Sequence, residues 1–290
     1  MGQRHANGRS FFLKEKKGLI ALVVILVGIL LFVPITEAHA YNSASSIVVM
    51  DADSGEMLLN ENGGKPMEIA STTKILTAIT VIEHADIFMT ASIPASAVGI
   101  EGSSIYLRKG EKWKVLDLLY GLMLRSGNDA AVALAEITAG SVEEFVVLMN
   151  ETAKKAGANN SNFTNPHGLH DARHLCTATD LAKITAYALK CPIFAEIVKT
   201  KTHHAVKEAN GVNEQVTFYN KNKLLYSYPY AIGVKTGYTT HSGRCLVSAA
   251  EKEGHRLICV TLNVYDTYGV SKANFDRYFA LLSGDHAEIT

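Results

Sequence analysis

The sequence predicts an α/β protein in which an antiparallel sheet is sandwiched by helices, with a helical lobe beside it. Two short β-rich runs flank Asp53, Ser54 and Gly55, a pattern typical of a hairpin. A mostly helical pattern covers about 91–200, and strand-like runs follow it. Strands near both ends of a chain, with helices between them, favour one antiparallel sheet and a separate lobe.

The stretch EIASTTKILTAITVI, at 68–82, predicts a buried helix that carries a lysine. Its apolar side chains cover nearly the whole circumference, and such a helix belongs inside a protein. Ser71 and Lys74 are three positions apart, so they share one face, with Ser71 at the N-terminal end. One interpretation is a nucleophile beside a possible base. The other is that Ser71 or Thr72 caps the helix and Lys74 reaches solvent.

The end of the chain returns to strand character. The runs YAIGVKTGYT and RCLVSAAEKEGHRLICVTLNVY, within 230–265, predict three strands, and SKANFDRYFALLSG predicts a closing helix. We expect the first and last helices to cover the sheet. A groove between the sheet edge and the lobe is then the natural place for a site.

Composition limits the class of protein. Of the 290 residues 48% are hydrophobic, so the chain can bury a sizeable core. Lysine plus arginine and aspartate plus glutamate each number 28, and no basic patch interleaved with aromatic residues stands out. We therefore expect no nucleic-acid partner.

Residues 1–40 predict a signal peptide or an N-terminal membrane anchor. Basic residues precede an uncharged apolar stretch at 18–35, and Ala38, His39 and Ala40 form a small-residue cleavage site. The apolar stretch just reaches spanning length, so cleavage after Ala40, which we favour, competes with retention as an anchor. In both cases residues 41–285 form a domain outside the cytoplasm.

Four residues near the end of the lobe raise the question of a metal. His167, His170, His174 and Cys176 are of types that bind zinc. The Asn-Pro-His-Gly run that contains His167 predicts a turn, so we expect no metal and no cofactor.

Cys245 and Cys259 lie on two predicted strands joined by a tight connection at 251–254. If Ala250 pairs with Gly254, the two cysteines face each other, whereas a slip of one residue places them on opposite faces. A disulfide between adjacent strands is strained, so a bridge is the less expected outcome.

Two further motifs occur once each: Ser126-Gly127-Asn128 between two helices of the lobe, and Lys235-Thr236-Gly237 at the end of a strand. Taken alone, the first motif is explained as the caps of two helices, and the second as the end of a strand followed by a turn glycine. With Ser71 and Lys74 they resemble, in order and spacing, the active-site set of the penicillin-binding proteins and serine β-lactamases.

Flanking sequences narrow this resemblance. GSSIYLRKGE at 102–111, NPHGL at 165–169 and NKNKLL at 220–225 are similar to the low-molecular-mass D-alanyl-D-alanine carboxypeptidases. The resemblance covers residues 41 to about 283, so it implies this fold for the whole exported domain.

The resemblance implies a penicillin-sensitive, serine-type carboxypeptidase that acts on peptidoglycan stem pentapeptides. Ser71 would attack the terminal D-Ala-D-Ala bond and form an acyl-enzyme, with Lys74 as base because burial and Lys235 lower its pKa. Ser126 would pass a proton to the leaving amine. The implied catalytic set is Ser71, Lys74 and Ser126.

The implied substrate-binding set lies mainly on one strand. Asn128 would hold the substrate amide, and Lys235 with Thr236 would receive the terminal carboxylate. Gly237 completes the motif. The backbone N–H of Tyr238 would form the oxyanion hole with that of the nucleophile.

The implied partners are stem peptides ending in D-Ala-D-Ala and β-lactam antibiotics, which would be covalent inhibitors. Membrane contact is expected only through the N-terminal segment.

A non-catalytic penicillin-binding or wall-sensing module is one alternative function. A serine β-lactamase is another, but it needs a carboxylate after the lobe to activate water. Between Thr152 and Ala195 the acids are Asp171 and Asp180, with no glutamate.

The stretch after the last strand lacks the arginine that in some members helps to bind the substrate carboxylate. The resemblance implies that 268–272 approaches the cleft. An arginine at Val270 or Ser271 is therefore expected to strengthen substrate binding.

Overall fold

The computed structural model describes residues 45–284, whose strands form two antiparallel sheets. The first, the central sheet, contains β1 (Ser46–Asp51), β2 (Met57–Glu61), β7 (Ala231–Thr239), β8 (Gly243–Lys252) and β9 (His255–Leu262). Their order in space is β2-β1-β9-β8-β7, so β7 is an edge strand of this sheet.

The turn of the β1–β2 hairpin is where the sequence predicted it. The Asp51 carboxylate accepts hydrogen bonds from the backbone N–H groups of Asp53 and Ser54, at 3.1 and 2.8 Å. Gly55 has a φ of 78°, which glycine adopts without strain. The residues of the turn themselves therefore specify it.

Helices cover both faces of the central sheet, as predicted. They are α1 (Lys74–His84), α2 (Val115–Tyr120), α3 (Asn128–Ala139), α4 (Val142–Lys155), α5 (Ala178–Leu189), α6 (Pro192–Lys199), α7 (Leu224–Ser227) and α8 (Thr267–Leu282). Successive residues of β1 point to opposite faces: Val49 packs with Phe275 of α8, and Val48 belongs to the core shared with the lobe.

One covering helix differs from the expectation. The second face of the central sheet is covered by α5 and α6, and α1 lies deeper, among α3, α4 and α5. Because α1 is apolar all round, a position among helices buries more of its surface than a position on one sheet face. The helix that carries Lys74 is therefore the centre of the lobe.

The lobe region contains strands as well as the helices that the sequence predicted over 91–200. A second sheet has the order β3 (Thr90–Ser92), β4 (Lys112–Lys114), β5 (Thr202–Ala209) and β6 (Val212–Tyr219). β5 and β6 meet at Asn210 and Gly211, which both have positive φ and form a two-residue hairpin turn.

The register of β8 and β9 contradicts the facing arrangement of Cys245 and Cys259. Ala250 pairs with Leu257, because the turn between the strands includes Gly254 itself and cannot leave it in the ladder. The two thiols consequently lie on opposite faces of the sheet, in different core clusters. All four cysteines lie within the described residues, and none is bridged.

The two positions proposed for an arginine are also wrong, because neither is accessible to a substrate. Val270 and Ser271 are buried beneath the central sheet, and the hydroxyl oxygens of Ser271 and Ser248 are 3.0 Å apart. An arginine at either position would overfill a packed interface.

Within 45–284, no helix combines the length and the apolar character needed to cross a membrane. The signal peptide or anchor predicted at residues 1–40 lies outside the described residues.

Candidate active site

A tight turn before α1 positions Ser71. Ser71 is the second residue of a short 3-10 helix, and the preceding Ala70 has a φ of 47°, uncommon for a residue with a side chain. The hydroxyls of Thr72 and Thr73 donate to the carbonyl oxygens of Ile69 and Ala70, at 2.6 and 2.9 Å. We call residues 69–73 the serine turn.

Two glycines allow other segments to pack against the serine turn. A Cβ at Gly168 would overlap the carbonyl oxygen of Ala70, and one at Gly237 would lie 3.1 Å from the backbone nitrogen of Ser71. The loop 165–170 and strand β7 are therefore both in close backbone contact with the serine turn, and a side chain at either glycine would separate them.

Lys74 is fully buried beside Ser71. Its Nζ lies 3.0 Å from Ser71 Oγ, 2.7 Å from Asn128 Oδ1 and 2.6 Å from the carbonyl oxygen of His167. Burial lowers the pKa of Lys74 well below its usual value, and the positive charge of Lys235 lowers it further. The amine is therefore neutral far more readily than an exposed lysine.

The hydrogen-bond partners of Lys74 fit this neutral amine. A neutral amine has two N–H donors and one lone pair, and both the His167 carbonyl and Asn128 Oδ1 can only accept. The orientation of Asn128 is fixed from its other end, because its Nδ2 donates to the carbonyl oxygen of Glu101 at 2.6 Å. The lone pair of Lys74 is then left for the hydroxyl proton of Ser71, as a general base requires.

Lys235 is a second buried lysine, on β7. It is 2% exposed, and its Nζ donates to the carbonyl oxygen of Thr236 at 3.0 Å. Burial, aided by the charge of Lys221, lowers the pKa of Lys235 to about 7. Lys221 lies 3.5 Å from the Ser103 hydroxyl and also lowers the pKa of Lys74. The site therefore contains three lysines, and the charge of Lys221 disfavours protonation of both Lys74 and Lys235.

The rest of the third motif lies along β7. Thr236 and Gly237 are half-buried, and the contact of Gly237 with the serine turn brings the β7 backbone beside Ser71. Tyr238 follows with its side chain 66% exposed. Its phenol therefore lies outside the packed interior, and its backbone is the part that runs along the serine turn.

Ser126 and Asn128 lie where a π-helical turn at Gly121–Arg125 gives way to α3. Ser126 is in the left-handed region, with a φ of 65°, and is 6% exposed. Within the described part of the chain, no hydrogen bond joins its hydroxyl to Ser71 or Lys74. Asn128 therefore contacts Lys74 directly, whereas Ser126 lies at the same junction without a hydrogen bond to Ser71 or Lys74 among the described residues.

The loop 101–107 is held against this junction by Asp129. The buried Asp129 carboxylate accepts hydrogen bonds from the Ser104 hydroxyl and from the backbone N–H groups of Ile105 and Leu107. The negative charge of Asp129 opposes the lowering of the Lys74 pKa. Asp129 therefore fixes one wall of the site.

The sequence prediction did not assign several of these groups. A backbone carbonyl such as that of His167 has no side-chain signature, so only its flank, NPHGL, could have pointed to it. Lys221 lies in the flank NKNKLL, and Asp129 directly follows the second motif. Among the four residues of types that bind zinc, His174 is buried, and its Nε2 lies 2.8 Å from the hydroxyl oxygen of Thr73. His174 therefore has a structural role in the packing around the serine turn.

A buried serine–lysine pair, placed at the head of a lobe helix and against the edge of an antiparallel sheet, defines the penicillin-binding class of serine enzymes. The chain belongs to the D-alanyl-D-alanine carboxypeptidase family, peptidase family S11, whose sequence profile matches residues 34–266.

Known relatives agree with this membership. The chain is 36% identical over 258 residues to D-alanyl-D-alanine carboxypeptidase DacF of Bacillus subtilis, covering 84% of this chain and 65% of that protein. It is 34% identical over 227 residues to the D-alanyl-D-alanine carboxypeptidase of Streptomyces sp. K15, covering 73% and 78%. The chain thus spans just under two thirds of the Bacillus protein.

Solved structures share the fold. A mutant of the Streptomyces K15 DD-transpeptidase superimposes with a TM-score of 0.75 at 32% identity, over 79% of this chain and 96% of that one. A D-alanyl-D-alanine carboxypeptidase from Mycobacterium tuberculosis gives a TM-score of 0.70 at 32% identity, over 75% and 81%.

Proposed function

We propose that this protein is a serine-type D-alanyl-D-alanine carboxypeptidase that acts on peptidoglycan stem pentapeptides through an acyl-enzyme on Ser71. The observation that carries the proposal is the 3.0 Å contact between Ser71 Oγ and the buried amine of Lys74. The names of the relatives, D-alanyl-D-alanine carboxypeptidases, support the choice of substrate.

Acylation begins with the Ser71 hydroxyl. Its oxygen forms a bond to the carbonyl carbon of the penultimate D-Ala while its proton moves to Lys74 Nζ. The oxyanion accepts hydrogen bonds from the backbone N–H groups of Ser71 and Tyr238. The C–N bond then breaks, and the proton passes from Lys74 by way of the Ser126 hydroxyl to the departing D-alanine nitrogen, which leaves Lys74 neutral again.

Deacylation repeats these steps with water as the nucleophile. A water oxygen bonds to the ester carbonyl carbon and gives its proton to Lys74, and the bond to Ser71 Oγ then breaks. The proton returns to Ser71 Oγ. The products are a peptide shortened by one residue and free D-alanine, and both side chains regain their starting protonation.

Substrate binding is assigned to the β7 edge and to Asn128. Lys235 and Thr236 receive the terminal carboxylate, which suits a cation in a desolvated cleft. Gly237 lets the β7 backbone lie against the serine turn. Asn128 uses one of its two amide hydrogens on Glu101, so the other remains for a substrate carbonyl.

β-Lactam antibiotics are proposed as covalent inhibitors. Their cyclic amide would be attacked by Ser71 in the same way, and their carboxylate would occupy the position next to Lys235. A β-lactamase activity finds less support, because the two acids between Thr152 and Ala195 are held in hydrogen bonds and no glutamate lies there. Asp180 accepts from Ser161 at 2.8 Å, and Asp171 accepts from the backbone of Arg173 at 2.8 Å.

Family membership and the N-terminal sequence support a proposal for the cellular location. We propose that the domain works outside the cytoplasm, with residues 1–40 as a signal peptide or as the membrane anchor. Stem peptides of the cell wall are found in that compartment.

The full chain, incubated with a pentapeptide ending in D-Ala-D-Ala, tests the proposal by mass spectrometry and by release of D-alanine. We expect an acyl adduct on the wild type and D-alanine in solution, and neither with Ser71→Ala. Ser92→Ala, which changes an exposed serine on β3, should behave as the wild type. Covalent labelling by a fluorescent penicillin without D-alanine release would contradict the carboxypeptidase and favour a non-catalytic penicillin-binding module.

A further inference from the structure

Three metal-binding side chains converge outside the Ser71–Lys74 pair. Glu68 precedes the serine turn, His170 ends the loop 165–170, and His241 lies in the turn between β7 and β8. One ligand atom of each side chain lies within 4.8 Å of those of the other two. We call these residues the rim cluster, and we infer that it binds a divalent transition-metal ion of the zinc type.

The side chains are already in contact. His170 Nδ1 lies 2.9 Å from Glu68 Oε1, and the His170 and His241 rings stack with centroids 4.1 Å apart and an interplanar angle of 11°. Bonds of about 2.0–2.2 Å to zinc place tetrahedral ligand atoms roughly 3.4 Å apart. Because the stacked rings hold their nitrogen lone pairs in nearly parallel planes, the imidazole rings must turn about their side-chain torsions to direct both lone pairs at one ion.

Close backbone contacts hold the segments next to the rim cluster together without any ion. Gly168 packs on the carbonyl of Ala70, which holds the loop of His170 against the serine turn. Gly237 packs on the nitrogen of Ser71, which holds the strand that leads to His241. Glu68 and His170 therefore adjoin backbone that packs without an ion, and His241 lies in the exposed turn that follows β7.

The chemistry of the ligands selects the ion. Two imidazoles and one carboxylate are a common three-ligand set for zinc, with a fourth position for water. Calcium and magnesium prefer sites made entirely of oxygen ligands, so imidazole disfavours them. His170 and Glu68 are 47% and 22% exposed at their side chains, so an ion can enter from solvent.

An ion in the rim cluster would connect three segments that surround Ser71. Glu68 is three positions before Ser71, and His241 is four positions after Gly237. Since an ion that binds the folded chain stabilises it by mass action, zinc should also raise the melting temperature. The proposed acyl-enzyme chemistry uses none of the rim residues, so the two proposals stand independently.

The test uses the full chain without a histidine tag, stripped of metal and titrated with Zn²⁺ by calorimetry. Co²⁺ provides a second readout through the absorption of tetrahedral cobalt. We expect one ion per chain and a raised melting temperature. His241→Ala and Glu68→Gln should each weaken binding at least tenfold, whereas His204→Ala, which removes an exposed histidine on β5, should not change it.

Several results would overturn the rim site. They are the absence of stoichiometric binding by the wild type, rim variants that bind Zn²⁺ as tightly as the wild type, and equal weakening by His204→Ala. Melting temperatures without metal show whether each variant is folded. Penicillin labelling in the presence of chelator tests the proposed function separately. The labelling of the rim variants should equal that of the wild type, because the acyl-enzyme chemistry uses none of the rim residues.

Discussion

In the proposed mechanism, Lys74 and Lys235 need opposite protonation states. Lys74 must be neutral to accept the Ser71 proton, and Lys235 must be charged to bind a carboxylate. Burial lowers both pKa values, and the neighbouring positive charge of Lys235 further lowers that of Lys74. This difference in environment supports the proposed roles of Lys74 as base and of Lys235 as cation.

The pH profile of the reaction should reveal Lys235. As pH rises through about 7, Lys235 loses its proton, so kcat/KM for a pentapeptide should fall on the alkaline side. Lys235→Arg keeps its charge, because guanidinium stays protonated beyond pH 12, and should remove this alkaline fall. An unchanged alkaline fall in the variant would show that another group causes it.

At the residue scale, spacing predicted the contact of Ser71 with Lys74, because three positions on a helix place two side chains on one face. It did not predict the His167 carbonyl, since any residue can supply a carbonyl at that point. It also could not predict the 3-10 form of the serine turn, which depends on contacts with Gly168 and Gly237. These contacts bring together residues that are far apart in sequence.

The serine turn depends on the packing of the loop 165–170. Gly168 has a φ of 84°, and Gly110 has a φ of 80° with nothing within 4 Å of its Cβ position. Alanine costs about 1 kcal/mol at either position because of the backbone. Gly168→Ala carries in addition the overlap with Ala70.

We therefore expect Gly168→Ala to lower the free energy of unfolding more than Gly110→Ala does, and to slow penicillin labelling at least tenfold. Urea unfolding and labelling rates of both variants measure the difference. Equal effects of the two substitutions would show that the loop does not support the serine turn.

The elements that the sequence predicted are those with a local signal. The β1–β2 turn has its own Asx bonds, and α1 has an unbroken apolar pattern. β5 and β6 also had such a signal, in Asn210-Gly211, which the prediction did not use. β3 and β4 have three residues each and no periodicity to detect. The β8–β9 register was wrong because small changes in turn position redirect every side chain.

For the whole molecule, the cysteines give a prediction about covalent structure. Burial raises the pKa of Cys176 and Cys259 to about 12 and that of Cys245 to about 11, whereas Cys191 is half-buried. A denatured, unreduced sample should contain four thiols, and in the native protein Cys191 should react first. Thiol titration measures both, and a count below four would contradict the register of β8 and β9 or the packing around Cys176.

The site joins the two halves of the described fold. Lys74 and Asn128 lie on helices of the lobe, Lys235 lies on the edge of the central sheet, and Ser71 lies in the turn between them. The order of elements predicted from the sequence that the site would lie between the sheet edge and the lobe. The part that sequence could not predict is the depth of α1, because that depth depends on how the lobe helices surround it.

The rate of acylation of Lys74→Arg most directly tests whether the buried amine is the base. Guanidinium cannot lose its proton at usable pH, so penicillin labelling of the full chain should slow at least about a hundredfold, the usual minimum for a lost general base. Lys74→Met, a neutral side chain, should slow labelling as much, and urea unfolding shows that each variant is folded. An arginine variant that is acylated at the wild-type rate would contradict the proposed role of Lys74.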